Sequence, residues 1–313
     1  MSMPRIVYIG IRQIHATHRA WFSSVGVITV EPLLKDFRYS FMLNVLLSPF
    51  RRSLRNVDAV LAIEPKYLLL PMIIGKRTPK LIGLAVTSAV LYSDMWRIAD
   101  AVIANSNLVK RILIKKGVEK GKIVTIYPFS TLENMTTTLR EKERYAVYLV
   151  NDPARVLKGY QILLKILDRM PELIVYRLGR GRVPRKHTRI KDVGFLNLPE
   201  FREMVSKAMV CLHPAIFDTF GVAPLDSLYL GTLPIVSRGA GVAELLPKEL
   251  VARDIDEFVD KIEMVYSLSR DEYQELLRRA ISMVAKKTSR ELSIRKFKET
   301  IMKILDSQNV YLQ

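Results

Sequence analysis

The sequence predicts an α/β protein built from two successive doubly wound parallel-sheet units. Short β-branched and aliphatic runs alternate with stretches of helical apolar spacing along its whole length. The alternation breaks once, at the polar, Thr-rich stretch 130–144 (STLENMTTTLREKER), and then restarts. A chain of 313 residues also suits two domains of about 150 residues each.

In the first half the strand candidates are RIVYIG (5–10), VGVITV (25–30), DAVLAIE (58–64), KLIGLAV (80–86), ADAVIANS (99–106) and KIVTIY (122–127). Between the last two, LVKRILIKKG (108–117) has helical apolar spacing and stops at Gly117, a normal C-terminal signal. This is the βαβ rhythm of a parallel sheet with helices on both faces. Stretch 130–144 reads as an interdomain linker. Beyond it come YAVYLV (145–150), a helix over 158–169, LIVYRLG (173–179), a helix near 199–208 and MVCLHP, with a helical, charged tail from Asp254 onward. The expected division is 1–135, 136–290 and a last helix, 291–313, returning to the first domain. Two doubly wound units facing one another imply a cleft at the carboxyl ends of both sheets, where such folds bind ligands.

Bulk composition narrows the partners. Hydrophobic residues make up 49% of the chain and charged residues 26%, an ordinary globular balance. No apolar run reaches the roughly 18–20 residues that span a bilayer. The stretches YLLLPMIIG and LIGLAVTSAVLY are shorter and read as core. The chain enters a strand at once, so no secretory signal is expected. Cys211 is the single cysteine, and its apolar setting, AMVCLHP, reads as an inert core thiol in a reducing, cytoplasmic compartment. No Cys/His spacing suggests zinc, and Asp254–Asp256, which opens a helix, reads as a cap rather than a metal motif. A net charge of +18 favours anionic partners such as phosphates, acidic membrane surfaces or nucleic acid.

The most informative run is His213–Pro247, HPAIFDTFGVAPLDSLYLGTLPIVSRGAGVAELLP. Val222–Leu230 reads as a short helix, with Pro224 suited to its first turn and Gly231 to the position just past its end. Gly221 permits a tight turn immediately before it. A helix N-terminus presents unpaired amides and partial positive charge, so the amides near Gly221 and Val222 are candidate diphosphate donors. Val222, Leu225 and Tyr229 share one face and are read as packing. Asp218 precedes the turn and Asp226 follows it. Carboxylates beside a phosphate site make sense when they accept hydrogen bonds from neutral hydroxyls, which sugars supply.

Taken in order, Asp218, Phe220-Gly221, Asp226, Gly231-Thr232-Leu233-Pro234, Gly239, Gly241 and Glu244 resemble the signature of the large retaining glycosyltransferase family with the GT-B fold. That family includes phosphatidylinositol mannosyltransferases and lipopolysaccharide glucosyltransferases. ADAVIANSNLVKRILIKKGVEKGKIVTIYPFS resembles the end of the family's first domain, LKGYQILLKIL its Lys-Gly segment, and DVGFLNLPEFREMVSKAMVCLHP the stretch that reaches the base. The resemblance covers residues 99–265 well and the first 98 in outline. Both acids are Asp where the family has Glu, shorter by one methylene group. The first loop, GIRQIHATHRAW, has Gly10 as its only glycine, with His15 and His18 as polar groups.

The resemblance implies that Lys158, with Arg155, neutralises the donor diphosphate. Asp226 would hold the donor ribose and Asp218 the transferred sugar near the reacting carbon. Thr219 and Phe220 of the same turn count with Gly221 and Val222 among the donor-binding residues, and the backbone at Gly194 and Phe195 would lie near the nucleobase. The implied reaction moves a hexose from a nucleotide-diphosphate sugar to an acceptor hydroxyl, with retention and without metal or cofactor. The expected acceptor is a glycan or membrane-associated lipid, with peripheral contact at the inner face of an anionic membrane. The alternatives are a nucleic-acid acceptor or a catalytically inactive binding subunit. The basic loop 179–191 (GRGRVPRKHTRIK) and the basic, apolar stretch 36–55 (DFRYSFMLNVLLSPFRRSLR) are the other surfaces read as candidates for anionic partners.

Overall fold

The computed structural model describes residues 4–9, 15–30, 57–68, 79–133 and 140–306. Stretch 36–55, Gly10 and residues 307–313 lie outside the described residues. The chain forms two compact units, one from Met1–Tyr127 with Glu291–Gln313, the other from Pro128–Arg290.

The first unit holds β1 (Ile6–Ile9), α1 (Ala16–Ser24), β2 (Ile28–Val30), β3 (Ala59–Ala62), β4 (Lys80–Ala85), α2 (Ala89–Tyr92), β5 (Ala101–Ala104), α3 (Asn107–Lys115) and β6 (Ile123–Thr125). Its described strands form one parallel sheet in the order β2-β1-β3-β4-β5-β6. Strands β1, β3 and β5 are buried along their length, as expected where both faces of a parallel sheet are covered. Helix α1 starts where His15 accepts from the Thr17 amide through Nδ1, and α3 starts where Ser106 accepts from the Val109 amide at 3.2 Å. A glycine at position 83 is required by packing, because a Cβ there would come within 2.9 Å of the buried Trp96 ring.

The second unit holds β7 (Glu143–Leu149), α4 (Tyr160–Arg169), β8 (Val175–Leu178), β9 (Ile190–Gly194), α5 (Leu198–Lys207), β10 (Ala208–His213), α6 (Val222–Tyr229), β11 (Leu233–Ser237), β12 (Val251–Ala252), α7 (Ile255–Ser267) and α8 (Arg270–Thr288). A ninth helix, α9 (Arg290–Asp306), follows. The sheet order is β12-β11-β10-β7-β8-β9, all parallel. From β7 the chain winds outward through β8 and β9, then crosses to β10 on the other side. The order therefore reverses between β7 and β10, the topological switch point at which open α/β sheets bind ligands.

Helices of this unit begin where their sequences specify. Asn197 with Glu200 and Ser269 with Glu272 form capping boxes for α5 and α8. Asp254 caps α7, accepting from the Glu257 amide at 2.9 Å, so the DID run caps a helix as expected. Stretch 130–144 differs from the plain linker expected there. Phe129, Ser130 and Leu132 are buried within the second unit, and β7 already begins at Glu143. Lys142, in the same stretch, donates to the carbonyls of Ser206 (2.7 Å), Ala208 (3.1 Å) and Gly231 (2.6 Å). It thereby satisfies carbonyls in the last turn of α5 and just past α5 and α6. Burial pulls its pKa down to about 7, while these acceptors favour the charged form.

Helix α9 belongs to the first unit's core. Phe297 stacks on Trp21 with ring centroids 5.1 Å apart, and both are fully buried with Ile301. Trp21 Nε1 donates to Ser293 Oγ at 3.0 Å, and Ser293 Oγ donates on to the Tyr127 carbonyl at 2.6 Å. Thus a polar group in the core is satisfied by a helix 272 positions away in sequence. Truncating the stack removes a buried ring from a packed site. Phe297→Ala should lower the unfolding free energy by about 3–5 kcal/mol in a urea titration, with the slope unchanged.

Candidate functional site

The candidate site is built at the switch point of the second unit from the two loops that leave β7 and β10. The first loop ends in a single 3-10 turn, Val156–Lys158, followed by Gly159 at φ 75°. The second runs from His213 to Gly221. They touch: a Cβ on Gly159 would lie 1.8 Å from the Pro214 carbonyl oxygen, so no other residue fits that crossing. The Phe217 amide donates to the Leu157 carbonyl at 3.3 Å, and the Tyr148 hydroxyl donates to the Lys158 carbonyl at 2.8 Å. These contacts fix the backbone from which Lys158 projects.

Lys158 Nζ and Asp218 Oδ2 meet at 2.7 Å. His213, the last residue of β10, brings Nε2 to 3.2 Å from the same oxygen. Burial works against ionisation of Asp218. The His213 contact and the Lys158 cation outweigh it and hold the carboxyl well below the usual carboxylate range. The backbone around Asp218 is tied down as well, since its amide donates to the Gly239 carbonyl and its carbonyl accepts from the Gly241 amide, both at 3.0 Å.

Gly221 follows at φ 94° and opens α6. A Cβ there would approach His213 Nε2 to 3.2 Å and Val242 to 3.4 Å, so glycine lets the turn close over the imidazole. The first amides of α6 have no carbonyl within the helix to receive them, which leaves them available to an anion beside Lys158. Val222 is the first helical residue and is half-buried. Thr219 and Phe220 are buried, Phe220 at 1% exposure, so the phenyl ring packs and only its backbone faces the turn. Arg155 opens the 3-10 turn with an exposed side chain.

Asp226 lies in the second turn of α6 and accepts from the Ser130 hydroxyl at 2.5 Å. Burial pushes its pKa up to about 7, against the smaller effect of the Ser130 hydrogen bond. The two acids thus differ sharply: Asp218 is a firm anion, whereas Asp226 changes its protonation state near neutrality.

Beyond β8 and β9 the carboxyl edge of the sheet continues the site. Gly194 ends β9 at φ 86° with open space where a Cβ would be. Phe195 is 66% exposed, and the Arg180 guanidinium lies over its ring at 4.9 Å. The buried Arg177 holds this edge, donating to the carbonyls of Gly179 (2.6 Å), Arg180 (2.9 Å) and Gly181 (2.7 Å) and pairing with Asp192. Within the basic loop, Arg189 donates to the Met170 carbonyl at 2.5 Å, while Arg182, Arg185 and Lys186 have exposed side chains.

Three residues carry parts that the sequence reading did not assign. His213 was within view as the residue opening the quoted run, but nothing local marks it as a partner of Asp218. Ser130 sits 96 positions from Asp226 and has no sequence signal of its own. Arg177 hides inside an apolar strand pattern. The two histidines of GIRQIHATHRAW have fixed places: His15 caps α1, and His18, within α1, is buried beside Trp21 with its pKa pulled down to about 3 by burial and then by His15. Cys211 is buried, its thiol pushed up to about 12 by burial, consistent with an inert group.

The titration of Asp226 is directly measurable. Its folded-state pKa lies above the unfolded value of 3.8, so the folded chain holds this proton over more of the range and loses stability as pH rises from about 4 through 7. Asp226→Asn should remove that part of the pH dependence, leaving the variant more stable than the parent at pH 8 in matched urea titrations.

No protein-family model matches the sequence, and a comparison with curated proteins gives no match. Solved structures do match. HepE from Anabaena in complex with UDP and glucose aligns with a TM-score of 0.74 at 12% identity, over 96% of this chain and 99% of that one. A sucrose-phosphate synthase from Thermosynechococcus elongatus aligns with a TM-score of 0.77 at 12% identity, over 97% and 100%. The lipopolysaccharide outer core galactosyltransferase WaaB, in its apo form, aligns with a TM-score of 0.69 at 13% identity, over 96% and 99%. With two Rossmann-like parallel sheets and these matches over nearly its whole length, the chain has the GT-B fold.

Proposed function

We propose that the chain is a retaining, metal-independent glycosyltransferase. It moves a hexose from a nucleotide-diphosphate sugar to a hydroxyl of a glycan or membrane-associated lipid. The observation that carries this reading is the meeting of Lys158 and Asp218 at 2.7 Å on the switch point, beside the glycine turn that opens α6. A diphosphate needs a cation and free amides, and a sugar needs a hydroxyl acceptor. Here both sets come from two loops locked together at Gly159 and Pro214.

In the reaction, the bond from the anomeric carbon to the diphosphate oxygen breaks while the acceptor oxygen bonds to that carbon from the same face and gives up its proton to the departing diphosphate oxygen. Negative charge grows on the departing diphosphate. Lys158 and the opening amides of α6 stabilise it from fixed positions, which is the effect that lowers such barriers most. Asp218, held ionised by His213 and Lys158, accepts from a hydroxyl of the transferred sugar. Binding a donor exchanges the Lys158–Asp218 pair for two charge-assisted contacts, one to phosphate and one to sugar. Asp226 serves the ribose, and its raised pKa lets the same carboxyl donate or accept. Phe195 and Gly194 offer an exposed ring and an unobstructed backbone to the base, with Arg180 adding positive charge at that edge. The homologous fold of HepE, solved with UDP and glucose, supports a nucleotide-sugar donor.

A thermal-shift screen of GDP-, UDP-, ADP- and dTDP-sugars tests the donor class. One of them at a hundred times its dissociation constant should add about 2.7 kcal/mol of stability, seen as a raised midpoint. Lys158→Ala should cut donor turnover by at least about a hundredfold. Unchanged turnover in that variant would refute the site, and donor binding without any turnover in the parent would favour a binding subunit.

A further inference from the structure

The basic excess is unevenly divided. The first unit has 23 Lys and Arg against 10 Asp and Glu, whereas the second has 26 against 21. Within the first unit the densest stretch is 110–122, with six Lys or Arg and the single acid Glu119. The structure shows what this stretch builds. Turn 93–98 leads into β5, and 116–122 leads into β6, so both lie at the amino-terminal edge of the sheet. They are stitched together: Lys116 Nζ pairs with Asp94 at 3.0 Å, and Arg97 Nε donates to the Lys116 carbonyl at 2.5 Å. Helix α2 packs on α3 and ends at Tyr92, immediately before the same turn.

This edge exposes apolar side chains where burial would be normal. Tyr92 is 75% exposed, Ile98 41% and Ile114 39%. Around them stand Arg111 and Lys115, which flank Ile114 on the outer side of α3, and Lys120 beyond its end. All three cations are exposed and pair with no acid among the described residues.

We infer that this edge, formed by α2, turn 93–98 and the outer side of α3, docks the protein onto an anionic lipid surface. The chemistry matches that partner on two counts. Arg and Lys near an anionic leaflet are each favourable by about a tenfold factor or less in binding. A tyrosine and two isoleucines protruding among them can enter the interfacial layer, where Tyr is enriched. Nucleic acid fits less well, because one tyrosine beside two isoleucines gives no row of aromatic rings on which successive bases could stack. The edge lies opposite the carboxyl ends of the same strands, so docking leaves those ends free. The inference deepens the reading of a membrane-associated acceptor and rests on it for its biological use, but its test needs no turnover.

The test is co-sedimentation of the full chain with vesicles of phosphatidylcholine alone or mixed with phosphatidylglycerol. Binding should require phosphatidylglycerol and weaken steeply as salt is raised. Arg111→Ala with Lys115→Ala should weaken it about thirtyfold. Tyr92→Ser with Ile114→Ser should weaken it at low salt as well, a loss that purely electrostatic adsorption would not show. The thermal midpoint without added ligand serves as the folding control and should be unchanged in both variants. Equal binding to both vesicle types, no binding by the parent, or full binding by either double variant would overturn the assignment. So would tighter capture of a single-stranded oligonucleotide that the same variants abolish. If donor binding fails while vesicle binding behaves as expected, the catalytic reading falls and the docking surface stands.

Discussion

The close crossing of two loops at Gly159 and Pro214 is the constraint on which the functional site depends. The loop from β7 and the loop from β10 leave neighbouring strands at the switch point and would ordinarily be kept apart by side chains. A residue without a Cβ lets the backbones touch. That contact sets Lys158 and Asp218 within ion-pair distance and leaves the turn at Gly221 to close over His213. Replace the crossing by a wider one and the charges would remain, but the distance that pairs them would not.

Environment separates two carboxylates that the sequence presents as a pair. Asp218 and Asp226 stand on either side of one glycine turn, yet burial acts on them with opposite results. Near Asp218 a lysine and a histidine overcome the cost of burying charge. Near Asp226 the Ser130 hydroxyl hydrogen-bonds the carboxyl, but burial prevails. One group is therefore held as an anion, and the other changes its protonation state near neutrality. Pushing the pKa values of neighbouring acids apart is a general way of giving one residue type two roles.

The two units are stabilised by different kinds of long-range contact. In the first, the Trp21–Phe297 stack and the Trp21–Ser293–Tyr127 hydrogen-bond chain bind the far end of the sequence to the beginning. In the second, Lys142 and Tyr273 bind strand and helix ends at the amino-terminal edge, Tyr273 donating to the Met209 carbonyl and accepting from the Leu233 amide. Buried polar groups of this sort are stable because each finds partners, and they specify register where apolar packing alone would tolerate slippage.

Much of the architecture was legible because it is local. Alternating apolar periods located β1, β3 to β8 and β10 to within two residues, whereas β2 starts three residues later than read and β9, β11 and β12 were not picked out. Asp254 marked a helix start through a hydrogen bond that spans three positions, and the structure shows Ser106 and Asn197 doing the same. The glycine turn before α6 was legible for the same reason: φ 94° and the helix mouth behind it are both properties of a few consecutive residues. The sequence by itself therefore determined the fold class, most of the order of elements and the presence of a glycine turn opening a helix with an acid on either side. Only the tertiary structure decided which groups meet. Lys158 is 60 positions from Asp218 and Ser130 is 96 from Asp226, and His213 acts through the angle at which β10 ends. Such pairings depend on strand order and on the closeness of two backbones, and no period or spacing along a chain encodes either one.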